Sequence, residues 1–401
     1  MSAVPASIAH HEPPAPLGGR FLTPVTMVLA AFALVAVAIL VVRFVYGIGA
    51  VTAINDGYPW GIWIAYDVVI GSALACGGFA MALLVYIFNR GEYHPLVRPA
   101  LLASMFGYTL AGASVMFDLG RYWNFWHIFW PRFVQVNSVM FELAACVSAY
   151  VLVMWIEFTP AFLERFGMTA LRRKLNKAMF FFIALGVLLP TMHQSSLGSV
   201  LVIFGPQINP LWQTPLLPLF YLCSAVCMGF AMVIFEACLS SVGFRRGTEA
   251  DILAKIARLL QWLLAGYLVA RFVDLSVRGA FLLAFTQGFE SLMFWVENAL
   301  FALVVWQLRS AAGRRNPRTL FLTAVTMVLA GSVYRLDCYL VGYDTGPGWH
   351  YFPSLPELLV TIGLICAEIL AYIAFVRFLP VLPQERHAPT EAQSSPAGRT
   401  A

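Results

Sequence analysis

Ionisable side chains recur inside long apolar runs of this 401-residue sequence. A charge at the centre of a bilayer is unfavourable by about 2.5–3.5 kcal/mol even on a lenient insertion scale, so such residues usually serve a function. Asp67, Glu142 and His193 have side chains suited to proton transfer and to hydrogen bonding with carbonyls. The remaining ionisable residues of this kind are Asp118, Glu236, Arg271, Asp274, Glu297, Arg335, Asp337 and Glu368.

The first three residues are predicted to form one pocket. Asp67, Glu142 and His193 lie in three different predicted membrane helices of one predicted bundle. Counted from the outer end of each helix, all three lie at a similar depth below the outer membrane surface, about 10 Å at 1.5 Å per residue. A carboxylate and an imidazole offer a donor or acceptor to each carbonyl of a quinone and carry protons as the ring is reduced. We therefore predict a quinone site in which Asp67 and His193 hold and protonate the quinone.

Other polar residues are predicted to serve the same site. Glu142 and Tyr108 connect the pocket to a proton path, and Glu236 lies on the inner part of that path. Pro190 removes one backbone hydrogen bond from the fifth predicted span, residues 177–200. Gln194 is among the polar residues that follow it. The sequence therefore predicts an irregular polar stretch there, which membranes tolerate only where it lines protein or a cavity.

The composition is that of a membrane protein. Hydrophobic residues make up 60% of the chain and charged residues 11%, whereas soluble domains carry roughly 25% charged residues. Mean hydropathy is +0.78. The net charge of +5 gives no reason to expect a nucleic-acid partner; we expect membrane lipid instead.

Ten segments are long enough to cross a ~30 Å hydrocarbon core. They lie at about 22–46, 60–88, 97–119, 135–158, 177–200, 214–240, 254–278, 289–309, 318–341 and 356–379. A weak repeat, in which Ser138–Glu142 resembles Ser291–Glu297, predicts two four-helix bundles from spans two to five and six to nine, flanked by spans one and ten. The fold class is thus all-α integral membrane.

The predicted spans divide the chain into six segments. We expect a cytoplasmic tail, a first helix with its outer loop, a first bundle with the quinone site, a second bundle, a last helix and a disordered cytoplasmic tail. Their ranges are 1–20, 21–58, 59–200, 201–341, 342–380 and 381–401.

The basic residues orient the chain. Of the 25 Lys and Arg residues, nineteen fall on the side of both termini, three in loops of the opposite side, and three in or at the ends of spans. Positive charge favours the cytoplasmic side, so both termini are predicted to be cytoplasmic in a bacterial inner membrane. The opposite, outer side carries aromatic loops at 121–130 and 346–353, which we expect to form a platform for an extracytoplasmic partner.

Haem, iron–sulfur clusters and metals are not expected. A b-type membrane haem usually takes two facing His ligands. Only His193 lies within a predicted span; the others are His10, His11, His94, His127, His350 and His387. The seven cysteines lie in apolar runs without a CxxC pair, as helix-packing residues do.

Two pairs of charges have a structural interpretation. Arg271 and Asp274 are close in sequence, as are Arg335 and Asp337. We expect each pair to neutralise itself and to hold helices together.

At these residues the sequence resembles the NrfD/PsrC family of polysulfide- and nitrite-reductase membrane subunits. Within it, the sequence is similar to the HybB-type membrane subunits of periplasmic uptake [NiFe]-hydrogenases. The resemblance extends over nearly the whole chain and is carried by the segments 59–67, 88–98, 137–142, 189–196 and 351–357.

The resemblance implies a subunit without its own redox cofactor that docks a periplasmic ferredoxin-like iron–sulfur subunit. That subunit receives electrons from the small subunit of the hydrogenase, whose large subunit activates hydrogen, and menaquinone or ubiquinone is reduced near the outer face. The residues that it places at the quinone or proton-transfer site are Asp67, His193, Glu142, Tyr108, Arg98, Glu236, Asn137 and Gln194.

Three alternatives remain open from the sequence. The same motifs also fit the anchor of another oxidoreductase of this family, with a molybdopterin or multihaem partner. Buried acids in repeated bundles also suit a proton-coupled secondary transporter. A purely structural anchor predicts that Asp67 and His193 are dispensable.

Overall fold

The computed structural model describes residues 14–247 and 249–383, and this part of the chain is almost entirely helical. Ten of its helices are long and apolar enough to cross a membrane, which confirms the predicted number. Spans one to ten are Pro24–Tyr46, Trp63–Ile87, Gly91–Asp118, Val139–Arg165, Thr169–Gln207, Leu217–Gly243, Ala250–Val277, Phe289–Gln307, Pro317–Val341 and Leu355–Phe378.

The spans group by their contacts. Spans two to five contact one another in a ring, with span five returning to span two, and spans six to nine form a second ring. Span six joins the rings by packing against spans two and five. Spans one and ten pack on each other beside spans two and three. Span two is therefore central, since it contacts both rings and the outer pair.

Span five is more regular than predicted. Its α-helix runs from Thr169 to Phe204 and passes Pro190 without a break. The Thr191 and Ser195 hydroxyls donate to backbone carbonyls one turn earlier, at 2.8 and 3.0 Å. The predicted irregular stretch after Pro190 is therefore wrong: the backbone stays helical and continues outward, and these hydroxyls bond to it.

Span two carries the irregularity instead. It begins with a π-helical segment, Trp63–Ile70, and is interrupted between Leu74 and Gly77. At that interruption the backbone approaches span six so closely that a Cβ on Gly229 would lie 2.5 Å from the Cys76 carbonyl oxygen. Only glycine fits between two backbones at this distance.

The segments predicted as tails are partly packed. Residues 1–13 and 384–401 lie outside the described residues, so the predicted disorder is not addressed there. Val381 and Leu382 are buried, and the N–H groups of Leu17 and Gly18 donate to carbonyls at the end of span ten. The chain next to spans one and ten is thus held in place.

The aromatic outer loop after span three forms a short 3₁₀ helix, Tyr122–Phe129. Trp123 and Trp126 are 61% and 51% exposed, and His127 stacks on Phe133 at 4.0 Å between ring centroids. The loop presents aromatic surface on the side that the basic residues predict to be the outer one. Its use as a docking platform stays a prediction.

Replacing Gly229 with Val should destabilise the chain by about 1–3 kcal/mol, because the added side chain overpacks the contact with Cys76. Gly266 is the matched control, since it lies in a span but a Cβ there meets no atom within 4 Å. Thermal unfolding of the purified protein in detergent should show a lower midpoint for Gly229→Val than for Gly266→Val. Equal midpoints would contradict the close packing of spans two and six.

Candidate functional site

A buried polar cluster lies in the first bundle, between spans two, three and five. The Tyr108 hydroxyl lies 2.8 Å from His193 Nε2, and the Gln194 amide nitrogen lies 3.0 Å from the same ring atom. Span two adds the Ser72 hydroxyl, 3.1 Å from the Gln194 amide nitrogen, and the Cys76 thiol, 3.2 Å from the Tyr108 hydroxyl. All five side chains are almost completely buried. We call them the His193 cluster.

Arg335 of span nine fixes the orientation of this cluster. Its guanidinium donates to Gln194 Oε1 at 3.0 Å and to the backbone oxygens of Val69 and Tyr221 at 2.9 and 3.1 Å. A guanidinium only donates, so the amide oxygen of Gln194 must face it. The amide NH₂ therefore faces Ser72, Tyr108 and His193.

The opposite end of the cluster fixes the imidazole. His193 Nδ1 lies 3.0 Å from the Leu189 carbonyl oxygen, which only accepts hydrogen bonds, so Nδ1 carries hydrogen. In the neutral ring Nε2 is then the acceptor, and the Tyr108 hydroxyl donates to it. Donor groups thus run in one direction, from Arg335 through Gln194 and Tyr108 to His193. An imidazole beside a phenol in this arrangement can take up a proton and return it.

Asp67 belongs to a separate polar group between spans two and ten. Its carboxylate accepts a hydrogen bond from Thr361 at 3.1 Å and keeps 9% of its surface exposed. Nearby, Tyr351 donates to Glu357 at 2.7 Å. Burial and that carboxylate raise the pKa of the Tyr351 hydroxyl well above its usual value, so it remains a donor. We call Asp67, Thr361, Tyr351 and Glu357 the outer rim.

Arg43 and Asp118 lie beside the outer rim. Arg43, at the end of span one, is fully buried and donates to the carbonyls of Phe117, at 2.7 Å, and Leu119. A Cβ on Gly61 would lie 3.1 Å from the Asp118 carboxylate and 3.3 Å from the Tyr351 hydroxyl. Span one thereby helps to position the outer end of span three.

The predicted common depth is wrong. Span five extends to Phe204, so His193 lies eleven residues from the outer end of that helix, about 16 Å at 1.5 Å per residue. Asp67 lies only four residues into span two. Tyr108 is instead ten residues from the outer end of span three, at the depth of His193. The structure brings His193 together with Tyr108 and Gln194, and places Asp67 nearer the surface.

The remaining predicted residues are dispersed. Glu142 accepts a hydrogen bond from Ser196 at 2.8 Å, one turn outward from His193. Asn137 is exposed before span four. Glu236 is bonded to Tyr372 toward the inner side, where its predicted place on a proton path is not tested.

Arg98 does not reach the predicted pocket. It lies at the inner end of span three, ten residues from Tyr108 or about 15 Å along the helix. There it donates to the Pro380 carbonyl at 2.7 Å and pairs with Glu164 at 3.3 Å. The structure therefore separates Arg98 from the His193 cluster, and its predicted quinone-binding role stays a prediction.

The two predicted acid–base pairs are also wrong. Arg271 pairs with Glu297 of span eight, and Asp274 pairs with Arg278 at 2.9 Å. Arg335 has no carboxylate among its hydrogen-bond acceptors in the described chain. Residues two apart on a helix point to opposite sides, so Arg335 and Asp337 cannot face each other. That spacing was a signal in the sequence for an independent role of Arg335.

Comparison with known proteins agrees with this architecture. The family described as "Polysulphide reductase, NrfD" matches residues 50–337, more than half of the chain. The chain belongs to the NrfD family. Membership covers spans two to eight and most of span nine, and thus every residue of the His193 cluster as well as Arg335.

Several relatives of this NrfD-family chain are similar over most of their length. A protein of Escherichia coli (strain K12) named "Probable Ni/Fe-hydrogenase 2 b-type cytochrome subunit" is 47% identical, covering 92% of this chain and 95% of the relative. The "Menaquinone reductase, integral membrane subunit" of Nitratidesulfovibrio vulgaris is 26% identical, covering 84% and 87%. One of the subunits of the selenate reductase of Mesobacillus selenatarsenatis is 22% identical, covering 90% and 94%. All three relatives are named as subunits of oxidoreductases.

The name of the Escherichia coli relative contradicts one prediction. A b-type cytochrome contains haem, so the expectation of a chain without haem is wrong on this comparison. The described residues nevertheless do not fit a haem with two facing His ligands. His193 is the one histidine of the described chain that lies deep in a span, and its ring nitrogens face Leu189, Tyr108 and Gln194. We therefore derive no step through a haem.

Replacing Gln194 with Leu should lower the free energy of unfolding by about 1–3 kcal/mol, because a buried donor of Arg335 and the hydroxyl oxygen of Tyr108, which accepts from the amide, both lose their partner. Gln307→Leu is the matched control. The Gln307 amide makes one long hydrogen bond of 3.5 Å, and its Oε1 has no partner among the described residues. Chemical unfolding in detergent should separate the two variants, and equal stability would contradict the orienting role of Gln194.

Proposed function

We propose that this chain is the membrane subunit of a respiratory [NiFe]-hydrogenase complex and exchanges electrons with a quinone. The name of the 47% identical relative supports the hydrogenase, and the name of the menaquinone reductase relative supports the quinone. The proposed partners are a periplasmic ferredoxin-like iron–sulfur subunit and the small and large hydrogenase subunits. The chain would lie in the bacterial inner membrane with both termini in the cytoplasm, in keeping with its basic residues.

One observation carries the chemical part of the proposal: the directed hydrogen bonds from Arg335 through Gln194 and Tyr108 to His193. The amide N–H of Gln194 and the hydroxyl of Tyr108 are donors suited to a quinone carbonyl oxygen. A proton taken up at His193 Nε2 passes through Tyr108 to that oxygen as the ring is reduced. The buried charge of Arg335 stabilises negative charge on the same oxygen, more strongly than in water.

Access to the cluster is proposed from the outer rim. His193, Gln194 and Tyr108 have no exposed surface, so a ring that contacts them must displace neighbouring side chains. Asp67 lies in the π-helical segment of span two, five residues before Ser72, and is largely buried next to span ten, with 9% of its surface exposed. Asp67 would therefore bind the quinone on its way in and supply protons from the outer side, with Glu142 on the span-four side.

A different catalytic partner is the second candidate. The similarity to a selenate reductase subunit favours an NrfD-family anchor for a reductase of an oxyanion. Extraction in mild detergent and mass spectrometry of the co-purified subunits separates the two: nickel–iron hydrogenase subunits support the first, and a molybdopterin subunit supports the second.

Changing Tyr108 to Phe should lower hydrogen-dependent quinone reduction by the complex about a hundredfold, because the relay to His193 loses its hydroxyl. Hydrogen oxidation with a soluble dye should stay unchanged, since it does not need this chain. Tyr150→Phe is the control: that ring packs against Tyr108 at 4.6 Å between centroids, but its hydroxyl bonds to no described residue. Equal loss of quinone reduction in both variants, or loss of dye-linked hydrogen oxidation, would contradict the proposed relay.

Changing Asp67 to Asn tests the outer rim separately. The amide keeps a hydrogen-bond partner for Thr361 but cannot carry a proton, so quinone reduction should be lost while dye-linked hydrogen oxidation persists. Thr361→Val removes the donor and leaves the carboxylate, so it should retain most of the activity. If Asp67→Asn keeps full quinone reduction, the acid has no part in the reaction.

A further inference from the structure

The second bundle holds a pair of acids that the proposed quinone reaction does not use. Glu297 of span eight and Asp337 of span nine are fully buried. Span eight packs against the helical segment that Asp337 begins, and the two carboxyl groups face each other there. Glu297 also accepts hydrogen bonds from Arg271, from Trp212 at 3.2 Å and from Asn298 at 3.1 Å. Neither oxygen of Asp337 receives a hydrogen bond from a donor in the described chain.

The charges around the pair do not balance if both acids are ionised. Arg271 neutralises only one of the two carboxylates. The other basic groups nearby already have partners: Arg335 donates to acceptors of spans two, five and six, and Arg278 pairs with Asp274. The remaining groups that face the pair are neutral, namely Trp212 of the loop before span six, Tyr267 of span seven, Asn298 of span eight, and Tyr334 and Cys338 of span nine.

A second negative charge in this setting would be both desolvated and repelled. Two carboxylates that face each other in a buried site with one cation do not both ionise; one proton between them replaces the repulsion with a hydrogen bond. We propose that Asp337 and Glu297 share one proton and form a proton-binding site in the second bundle, separate from the His193 cluster. The proposal goes beyond the proposed quinone reaction, because it requires no quinone.

The backbone around Asp337 is consistent with a functional site. Asp337 begins a π-helical segment, Asp337–Val341, at the outer end of span nine. Such segments occur frequently at functional sites. Asp337 and Arg335 also lie on opposite sides of one turn, so span nine presents an acid to the second bundle and a cation to the junction of the two bundles.

The test is the infrared spectrum of the purified membrane complex, in the region where the carbonyl of a protonated carboxylic acid absorbs. Asp337→Asn should remove one such band, because the new amide donates to Glu297 in place of the shared proton. The matched control is Asp274→Asn, since that carboxylate is already bound by Arg278 and Thr214 and should contribute no band.

Three outcomes would overturn the proposal. One is an identical band in the wild type and in Asp337→Asn. Another is a marked fall in the thermal midpoint of Asp337→Asn, because an amide that replaces a shared proton should leave the fold intact. A third is a change of the band when Na⁺ replaces K⁺ in the buffer, which would assign the pair to a metal cation. The spectrum is recorded without turnover, so an inactive quinone site would leave the result unchanged.

Discussion

A buried guanidinium at the junction of the two bundles is the constraint on which the proposed site depends. Arg335 comes from span nine, in the second bundle, yet its donors reach Val69 of span two and Gln194 of span five. Removing a cation from water is costly unless its donors are satisfied. Because the acceptors are backbone oxygens and one amide, the bundles must stay in this register for Arg335 to remain bonded. The same bonds set the direction of the amide of Gln194, and hence of the cluster beyond it.

The two buried acids with few hydrogen-bond partners lie in irregular, π-helical backbone. Asp67 lies in the π-helical segment of span two, and Asp337 begins that of span nine. A regular helix with Pro190 in it carries His193, whose ring is held from both sides. The imidazole is thus held rigidly, whereas the acids have fewer contacts. This difference suits a site in which protons enter at one group and are transferred to the substrate at another.

The sequence predicted the spans well because twenty or more apolar residues in a row have few alternatives to a membrane helix. It predicted the chemical types of the site through Asp67, His193 and Tyr108, since polar residues are conspicuous in such runs. The direction and depth of each side chain were harder to predict from the sequence. The depth of His193 depended on where span five ends, and Phe204 lies four residues beyond the predicted bound of 200.

Partners across the bundles could not be inferred from the sequence. Their closeness in sequence suggested that Arg335 and Asp337 neutralise each other, whereas helix geometry points the two side chains in opposite directions, Arg335 to the junction of the bundles and Asp337 into the second bundle. Thr361 and Ser72 carried no signal, because single hydroxyls in apolar helices usually bond to their own backbone. Gln194 was conspicuous as a polar residue, but its role follows only from the contact with Arg335.

The central claim is that a quinone ring reaches the His193 cluster from the outer rim. It is tested most directly by light-activated crosslinking of a photoreactive quinone analogue to the intact complex, followed by peptide mapping. The account predicts labelled residues in spans two, three, five and ten, around Asp67 and Tyr108, and competition by unlabelled quinone. Labelling confined to the apolar surface of span seven between Leu268 and Val277, with those four spans unlabelled, would contradict it.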